Sequence, residues 1–227
     1  MSAVMKVLES GWLTTGPKVQ QFEESFAAQV GAEHAVATNS CTAALHVALE
    51  ALGIEEGDEV LIPTMTFAAT AEVVAYFKAT PVLLDCDPFT LNLDVAALSG
   101  KITRRTKAVI PVHIAGLPCD MQGILAAASS HGLAVVEDAA HAFPSSYRGQ
   151  PIGSVGDITC FSFYATKTLT TGEGGMATTN NQAWAERMRR MTLHGITKDA
   201  WKRYSDSGSR YYETGPPRYK YNSTDIA

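Results

Sequence analysis

Residues 159–176 read TCFSFYATKTLTTGEGGM. A short apolar run, Ile158 to Phe163, ends in hydroxyl-bearing and small residues, presents Lys167, and then turns through Gly172, Gly174 and Gly175. No helical period runs through the stretch, so Lys167 is not one more charge on a solvated helix face. It stands where a buried strand gives way to a glycine-rich loop, and loops held by a rigid scaffold often carry chemistry. The competing reading is a surface lysine beside a turn. The neighbouring segments decide between the two.

Working outward, Leu133–Glu137 and Lys107–His113 predict apolar strands, separated by a helix from about Asp120 to His131. Before them come strands at Ala35–Thr38, Glu59–Pro63 and Pro81–Asp85. Helices are expected at Thr42–Leu52 (stopped by Gly53), at about Phe67–Lys78 and near Asp94–Leu98. Strands of a few apolar residues alternating with helices argue for an α/β fold with a mostly parallel sheet covered on both faces. Residues 2–11 predict a helix stopped by Gly11, and Trp12–Pro17 a turn. A second helix carries Val19, Phe22, Phe26 and Val30 and ends at Gly31. After Asp138 the pattern changes. Tyr147-Arg148-Gly149-Gln150 reads as a hairpin turn, Gly175–Thr179 as a strand and Gln182–Leu193 as a closing helix. This gives a large domain over 1–193 and a trailing segment over 194–227, in which Ser205–Pro217 reads as loop and YKYNSTDIA as the start of a helix capped by Ser223 or Thr224.

Composition bounds the function. The chain has 227 residues, is 46% hydrophobic and 18% charged, and carries a net charge of -5. An acidic balance leaves no electrostatic footprint for nucleic acid or an anionic membrane. No apolar run approaches the roughly 20 residues that span a bilayer, and the N-terminal residues do not read as a signal peptide. Cys41, Cys86, Cys119 and Cys160 show no C-x-x-C spacing. Reduced thiols and a cytoplasmic location are expected.

Three features fall at the carboxyl ends of predicted strands, where such sheets bind ligands. Thr38-Asn39-Ser40-Cys41-Thr42-Ala43 places hydroxyls and free N–H groups at a helix N-terminus, which suits a phosphate and equally suits an ordinary helix cap. Neither G-x-G-x-x-G nor G-x-x-x-x-G-K-[ST] occurs. Asp138 follows a buried strand, where a carboxylate needs a cationic or hydrogen-bonding partner. A helix cap or, with His141 nearby, a metal ligand would also explain it. Lys167 is the third. A phosphate cradle, a buried aspartate and a loop lysine are together what pyridoxal phosphate requires.

The segments SGWLTTGPKVQQFE, NSCTAALHVALEALGIEEGDEV, IPVHIAGLPCD, VVEDAAHA, FSFYATKTLTTGEGG, LHGITKDAW and YKYNSTDIA span nearly the whole chain. With them the sequence resembles the sugar aminotransferases of the DegT/DnrJ/EryC1/StrS family, and within it is similar to the UDP-4-amino-4-deoxy-L-arabinose aminotransferase group. The resemblance implies the aspartate aminotransferase fold (fold type I), pyridoxal phosphate as cofactor, a nucleotide-linked keto sugar aminated at the 4-keto position, glutamate as amino donor, and a homodimer. It implies that Lys167 is the Schiff-base lysine and proton carrier and that Asp138 pairs with the pyridine nitrogen. Thr42, Ala43 and Ser162 would hold the phosphate, Phe67 and Ala140 would cover the two faces of the ring, and His141 would approach the phenolic oxygen. Asn222 would reach the phosphate of the neighbouring subunit's cofactor. No metal is implied. The family's sugar dehydratases carry histidine in place of the lysine, so Lys167 argues against that branch, and the continuous match argues against a desulfurase or lyase of the same fold. Tyr164 and Phe67 depart from a frequent histidine and tryptophan, which touches substrate choice more than reaction class. The family continues into a C-terminal small domain that this sequence lacks, so a non-catalytic product is the reading of a different class.

Overall fold

The computed structural model describes residues 2–196 and 218–227. The loop expected over Ser205–Pro217 lies outside them.

The central sheet has seven strands in the order β1-β9-β8-β5-β4-β2-β3. These are β1 (His34–Thr38), β2 (Glu59–Pro63), β3 (Thr80–Leu84), β4 (Thr106–Val109), β5 (Ala134–Asp138), β8 (Ile158–Ser162) and β9 (Gly175–Thr179). β9 pairs antiparallel with both β1 and β8, while the remaining pairs are parallel. Six strands therefore run one way and only β9 runs against them. A two-stranded hairpin, β6 (Ser146–Tyr147) and β7 (Gln150–Pro151), lies outside this sheet. Its turn is the expected one, with Arg148 at φ 52° and Gly149 at φ 84°. Two successive positive φ values match the right-handed twist of paired strands.

Side chains of successive strand residues point to opposite faces, and the helices divide accordingly. Val60, Ile62, Val136, Ile158, Cys160 and Ala177 meet α3 (Cys41–Leu52), α4 (Ala68–Ala75) and α6 (Gln182–Met191). On the other face Phe161, Phe163 and Met176 pack on α2 (Pro17–Val30), and Leu61, Val109 and Val135 on α5 (Met121–His131). Helix α1 (Ser2–Ser10) buries only Val7. Helix ends follow local chemistry: Ser40, Asp120 and Asn181 accept first-turn N–H groups, and Gly31, Gly53 and Gly132 close C-termini in the left-handed conformation.

Four expectations are corrected. Residues Val95–Ala97 form one 3-10 turn in place of a helix. β4 stops at Val109 instead of reaching His113, because Pro111 has no N–H for the ladder; the chain nonetheless stays beside β5, since the Asp138 backbone N–H donates to Pro111 O at 2.9 Å. Helix α4 ends at Ala75, short of Lys78, which adopts φ 56°. Residues 218–227 contain bridges and a turn but no helix, so Ser223 and Thr224 cap nothing there. Instead, Asp225 from that segment caps α2. Among the described residues no helix is long and apolar enough to cross a membrane.

Candidate active site

With six strands running one way, their carboxyl ends form one edge, and β9 begins at that edge. Thr38 and Ser162, the last residues of β1 and β8, both pair with Gly175. The turn from β1 into α3 sits directly on this glycine. A Cβ at Gly175 would come within 2.4 Å of the carbonyl carbon and oxygen of Ser40. Its backbone is ordinary strand, so what it supplies is room.

The turn itself is held by Thr38 Oγ1 donating to Ser40 O (2.9 Å) and by Ser40 Oγ accepting from Ala43 N (3.1 Å). Ala43 is buried and Thr42 half-buried. The N–H groups of Cys41 and Thr42 belong to a first helical turn, which has no intrahelical acceptors. Ser162 shares a strand face with Cys160, which packs against α3. Ser162 also pairs with Gly175, on which the turn into α3 sits, and a helix N-terminus is a setting that favours an anion.

Asp138 ends β5 and is buried, at 5% exposure. Its Oδ2 accepts from Thr70 Oγ1 at 2.9 Å, and its Oδ1 from Ala140 N at 3.2 Å. Burial pushes its carboxyl above the usual range, while Thr70, the Ala140 N–H, His113 and His141 pull the other way. A carboxylate so placed gains from a cation beside it.

Lys167 is half-buried in the loop after β8, where its N–H donates to Tyr164 O at 2.9 Å. Its ammonium group donates to nothing among the described residues, but its charge reaches two neighbours. Burial, then the Lys167 charge, lowers the His141 pKa, against the pull of Asp138. Burial raises the Cys41 thiol well above its usual value, aided by Asp138 and Cys160 and opposed by Lys167. Asp138, His141, Lys167 and the first residue of α3 therefore share one electrostatic neighbourhood. Ala140 is half-buried beside Asp138, to which its N–H donates. Phe67 (77% exposed) and Tyr164 (46% exposed) present aromatic rings to solvent. Phe67 also precedes α4 as its cap residue.

Asn222 is placed differently from the rest. The segment it belongs to threads between the end of α6 and the outer side of β1, with Asn222 bridging Thr38 and Asn39 N donating to Tyr221 O (2.7 Å). Its amide nitrogen donates to Thr15 Oγ1 at 2.7 Å, and its oxygen accepts from Lys220 Nζ.

Sequence reasoning did not single out Thr70, which is fully buried on α4 and bonded to Asp138. A threonine in an alanine- and valine-rich helix carries little signal by itself. Glu137 and His113, both completely buried, were also passed over. His113 Nδ1 accepts from Cys119 N, which leaves Nε2 as the donor to Glu137 Oε2 at 2.9 Å. Glu137 Oε1 accepts from Gly156 N and Thr159 Oγ1, both at 2.7 Å. This network ties the segment after β4 to β5 and β8.

Residues 1–227 match the DegT/DnrJ/EryC1/StrS aminotransferase family. The chain belongs to that family. The spore coat polysaccharide biosynthesis protein SpsC of Bacillus subtilis is 57% identical over 223 residues, covering 98% of this chain and 57% of that protein. The sugar aminotransferase Spr1654 from Streptococcus pneumoniae, described as putative and solved in its PLP form, superposes with a TM-score of 0.90 at 36% identity, covering 99% of this chain and 60% of that one. DesI, solved in the presence of its TDP-sugar product, superposes with a TM-score of 0.86 at 35% identity, covering 99% and 54%. The fold is that of the fold type I aminotransferases, as the resemblance implied. The chain spans a little under 60% of the length of the curated relative, 57%.

Proposed function

We propose that this chain is the cofactor-binding part of a pyridoxal-phosphate-dependent aminotransferase that moves an amino group from glutamate to the 4-keto position of a nucleotide-linked sugar. One observation carries the reading. Asp138 and the α3 N-terminus, far apart in sequence, lie at one sheet edge, where the turn into α3 sits on Gly175 and the charges of Asp138 and Lys167 both reach Cys41.

The residues present fit the cofactor. First-turn N–H groups match a phosphate, a buried carboxylate matches a protonated ring nitrogen, and a primary amine matches an aldehyde. Bound there, pyridoxal phosphate supplies an electron-withdrawing ring that eases proton removal from the carbon bearing the amino group. Thr42, Ala43 and Ser162 would take the phosphate. Asp138, whose two oxygens accept from Thr70 Oγ1 and Ala140 N, would pair with the protonated ring nitrogen. Phe67 and Ala140 would cover opposite ring faces, and His141 would lie at the phenolic oxygen. Lys167 would bond the aldehyde carbon and, once released, carry the proton between carbon centres, a role in which a positioned acid/base contributes about 10²–10⁴-fold.

The nucleotide-linked sugar is supported by the family and by a structural neighbour solved with a TDP-sugar product. Glutamate, the ring position, a homodimer with Asn222 acting across its interface, and a cytoplasmic setting complete the proposal. Adding pyridoxal phosphate to the purified chain should produce a visible absorbance band that Lys167→Ala abolishes, and glutamate with a panel of nucleotide-linked 4-keto sugars should give amino sugars. A band that survives Lys167→Ala overturns the lysine assignment. A band without amination in any donor and sugar pairing leaves a cofactor-binding chain that does not turn over alone, which is the second reading its partial length supports.

A further inference from the structure

Two hydroxyls form a chain that ends on the Asp138 carboxylate. Thr66 Oγ1 and Thr70 Oγ1 are 2.6 Å apart, and Thr70 Oγ1 donates to Asp138 Oδ2 at 2.9 Å. A hydroxyl has one proton. With the Thr70 proton on the carboxylate, the proton in the 2.6 Å contact is that of Thr66, whose other acceptor, Phe67 O, lies farther away at 3.3 Å. The order is therefore Thr66 to Thr70 to Asp138. Thr66 sits immediately before Phe67, the exposed aromatic that opens α4, while Thr70 is fully buried one turn into that helix. The other carboxylate oxygen is fixed from the opposite side by Ala140 N.

We propose that Thr70, oriented by Thr66, is the positioning residue for Asp138, fixing the carboxylate plane toward the cofactor's ring nitrogen and locking the Phe67 loop to it. The inference rests on the reading of Asp138 as the ring-nitrogen partner. Physically, a carboxylate at the mouth of a strand rotates about its Cβ–Cγ bond unless both oxygens are held. In a buried setting it also takes up a proton unless donors oppose burial. Thr70 does both, and the same hydrogen-bond chain ties the residue before the ring-covering aromatic to the carboxylate.

The test titrates the full chain with pyridoxal phosphate, following the bound fraction by equilibrium dialysis and by the absorbance band, for wild type, T70V, T70S, T66V, D138N and the D138N/T70V pair. Losing one hydrogen bond to a charged group should weaken T70V about ten- to a hundredfold, with T70S close to wild type and T66V weakened less. The acid limb of binding should move to higher pH in T70V, because the carboxylate has lost a donor that favoured its ionised form. In the D138N background T70V should add no further loss, since coupled residues are not additive. Wild-type affinity in T70V with D138N still weak overturns the positioning role, as does an equal T70V loss on both backgrounds or failure of T70S to restore binding. Wild-type affinity in D138N overturns the reading of Asp138 itself, a distinct outcome. Should T70V fail to fold, T66V decides: it reaches Asp138 only through Thr70, so an unchanged affinity there refutes the chain.

Discussion

Asp225 caps a helix that begins more than two hundred positions earlier at Gly16. Its Oδ1 accepts from Gly16 N (2.8 Å) and Val19 N (2.9 Å), and its Oδ2 from Lys18 N (3.0 Å). Helix α2 opens with Gly-Pro and has no side chain of its own at the cap position. A buried carboxylate at that end satisfies three orphan donors and meets the positive end of the helix dipole. Around it Thr15 Oγ1 donates to Ser223 O (2.6 Å) and Asp225 N to Thr14 O (3.1 Å). The last described residues therefore latch the turn and first helical turn at residues 14–19, and they do so beside the outer edge of β1.

Asp225→Ala should lower the stability of the chain by about 1–2 kcal/mol, the range for a lost cap. Asp225→Asn should lose less, because its oxygen still accepts while the charge is gone. Thermal unfolding of the three proteins measures this. Equal melting temperatures for wild type and Asp225→Ala would show that the contact carries no net stability.

Gly175→Ala separates room from chemistry. The added methyl would collide with the Ser40 carbonyl, which is backbone and cannot rotate aside. Overpacking of this kind costs about 1–3 kcal/mol, and here relief comes by moving the α3 N-terminus off β9. The expected result is a weakened affinity for pyridoxal phosphate in a folded protein, read by titration and circular dichroism. Unchanged affinity would mean that the turn into α3 is not the phosphate cradle.

Much of this architecture was legible because local chemistry and fold agree. β2 and β9 have the bounds that their apolar runs predict, and Gly31 and Gly53 end helices where expected. What stayed hidden depended on partners distant in sequence. Nothing in Gly175–Thr179 says that it runs against its neighbours or sits between β1 and β8, since a fully buried strand reads alike in either direction. Thr70 looks like any helix threonine until β5 brings Asp138 to it. The segment from Tyr219 reads as helical by its polar cap residues, yet it is captured by backbone pairing with Thr38 and with the end of α6. Tertiary pairing outweighs a local cap preference there.

Acid should loosen this same segment through His46. The ring is buried (5% exposed) among Tyr76, Phe77, Tyr219 and Tyr221, and its Nδ1 lies 3.1 Å from the Tyr221 hydroxyl. Burial lowers its pKa below 6.5, with Glu50 opposing; Glu50 is itself paired with Arg187 and Arg218. The unfolded chain then takes a proton on His46 at a higher pH than the folded chain does. Its contribution to stability is fully present above about pH 6.5 and is lost as pH falls through the folded value. His46→Gln, which keeps a neutral polar group, should flatten that part of the melting-temperature profile between about pH 7.5 and about pH 5.5. Identical acid slopes in the two proteins would place the sensitivity elsewhere.

The last test concerns whose phosphate Asn222 serves. Within its own chain the residue bridges Thr38 at the base of the cradle, with its amide spent on Thr15. The proposal sends that amide across a twofold interface, the commonest way to close a dimer. Either way, Asn222→Ala should raise the pyridoxal phosphate concentration needed for activity by about ten- to a hundredfold, one hydrogen bond to a charged group. The chemistry at Lys167 should be untouched, so saturating cofactor should restore turnover. Mixing Asn222→Ala with Lys167→Ala subunits at limiting cofactor separates the two arrangements. If Asn222 acts across the interface, a mixed dimer contains one site with both defects and one with neither, and activity rises above that of either parent. If it serves its own chain, every site carries one defect and no gain appears. A mixture no more active than its Asn222→Ala component would assign the residue to its own cradle and remove the reason for a shared site.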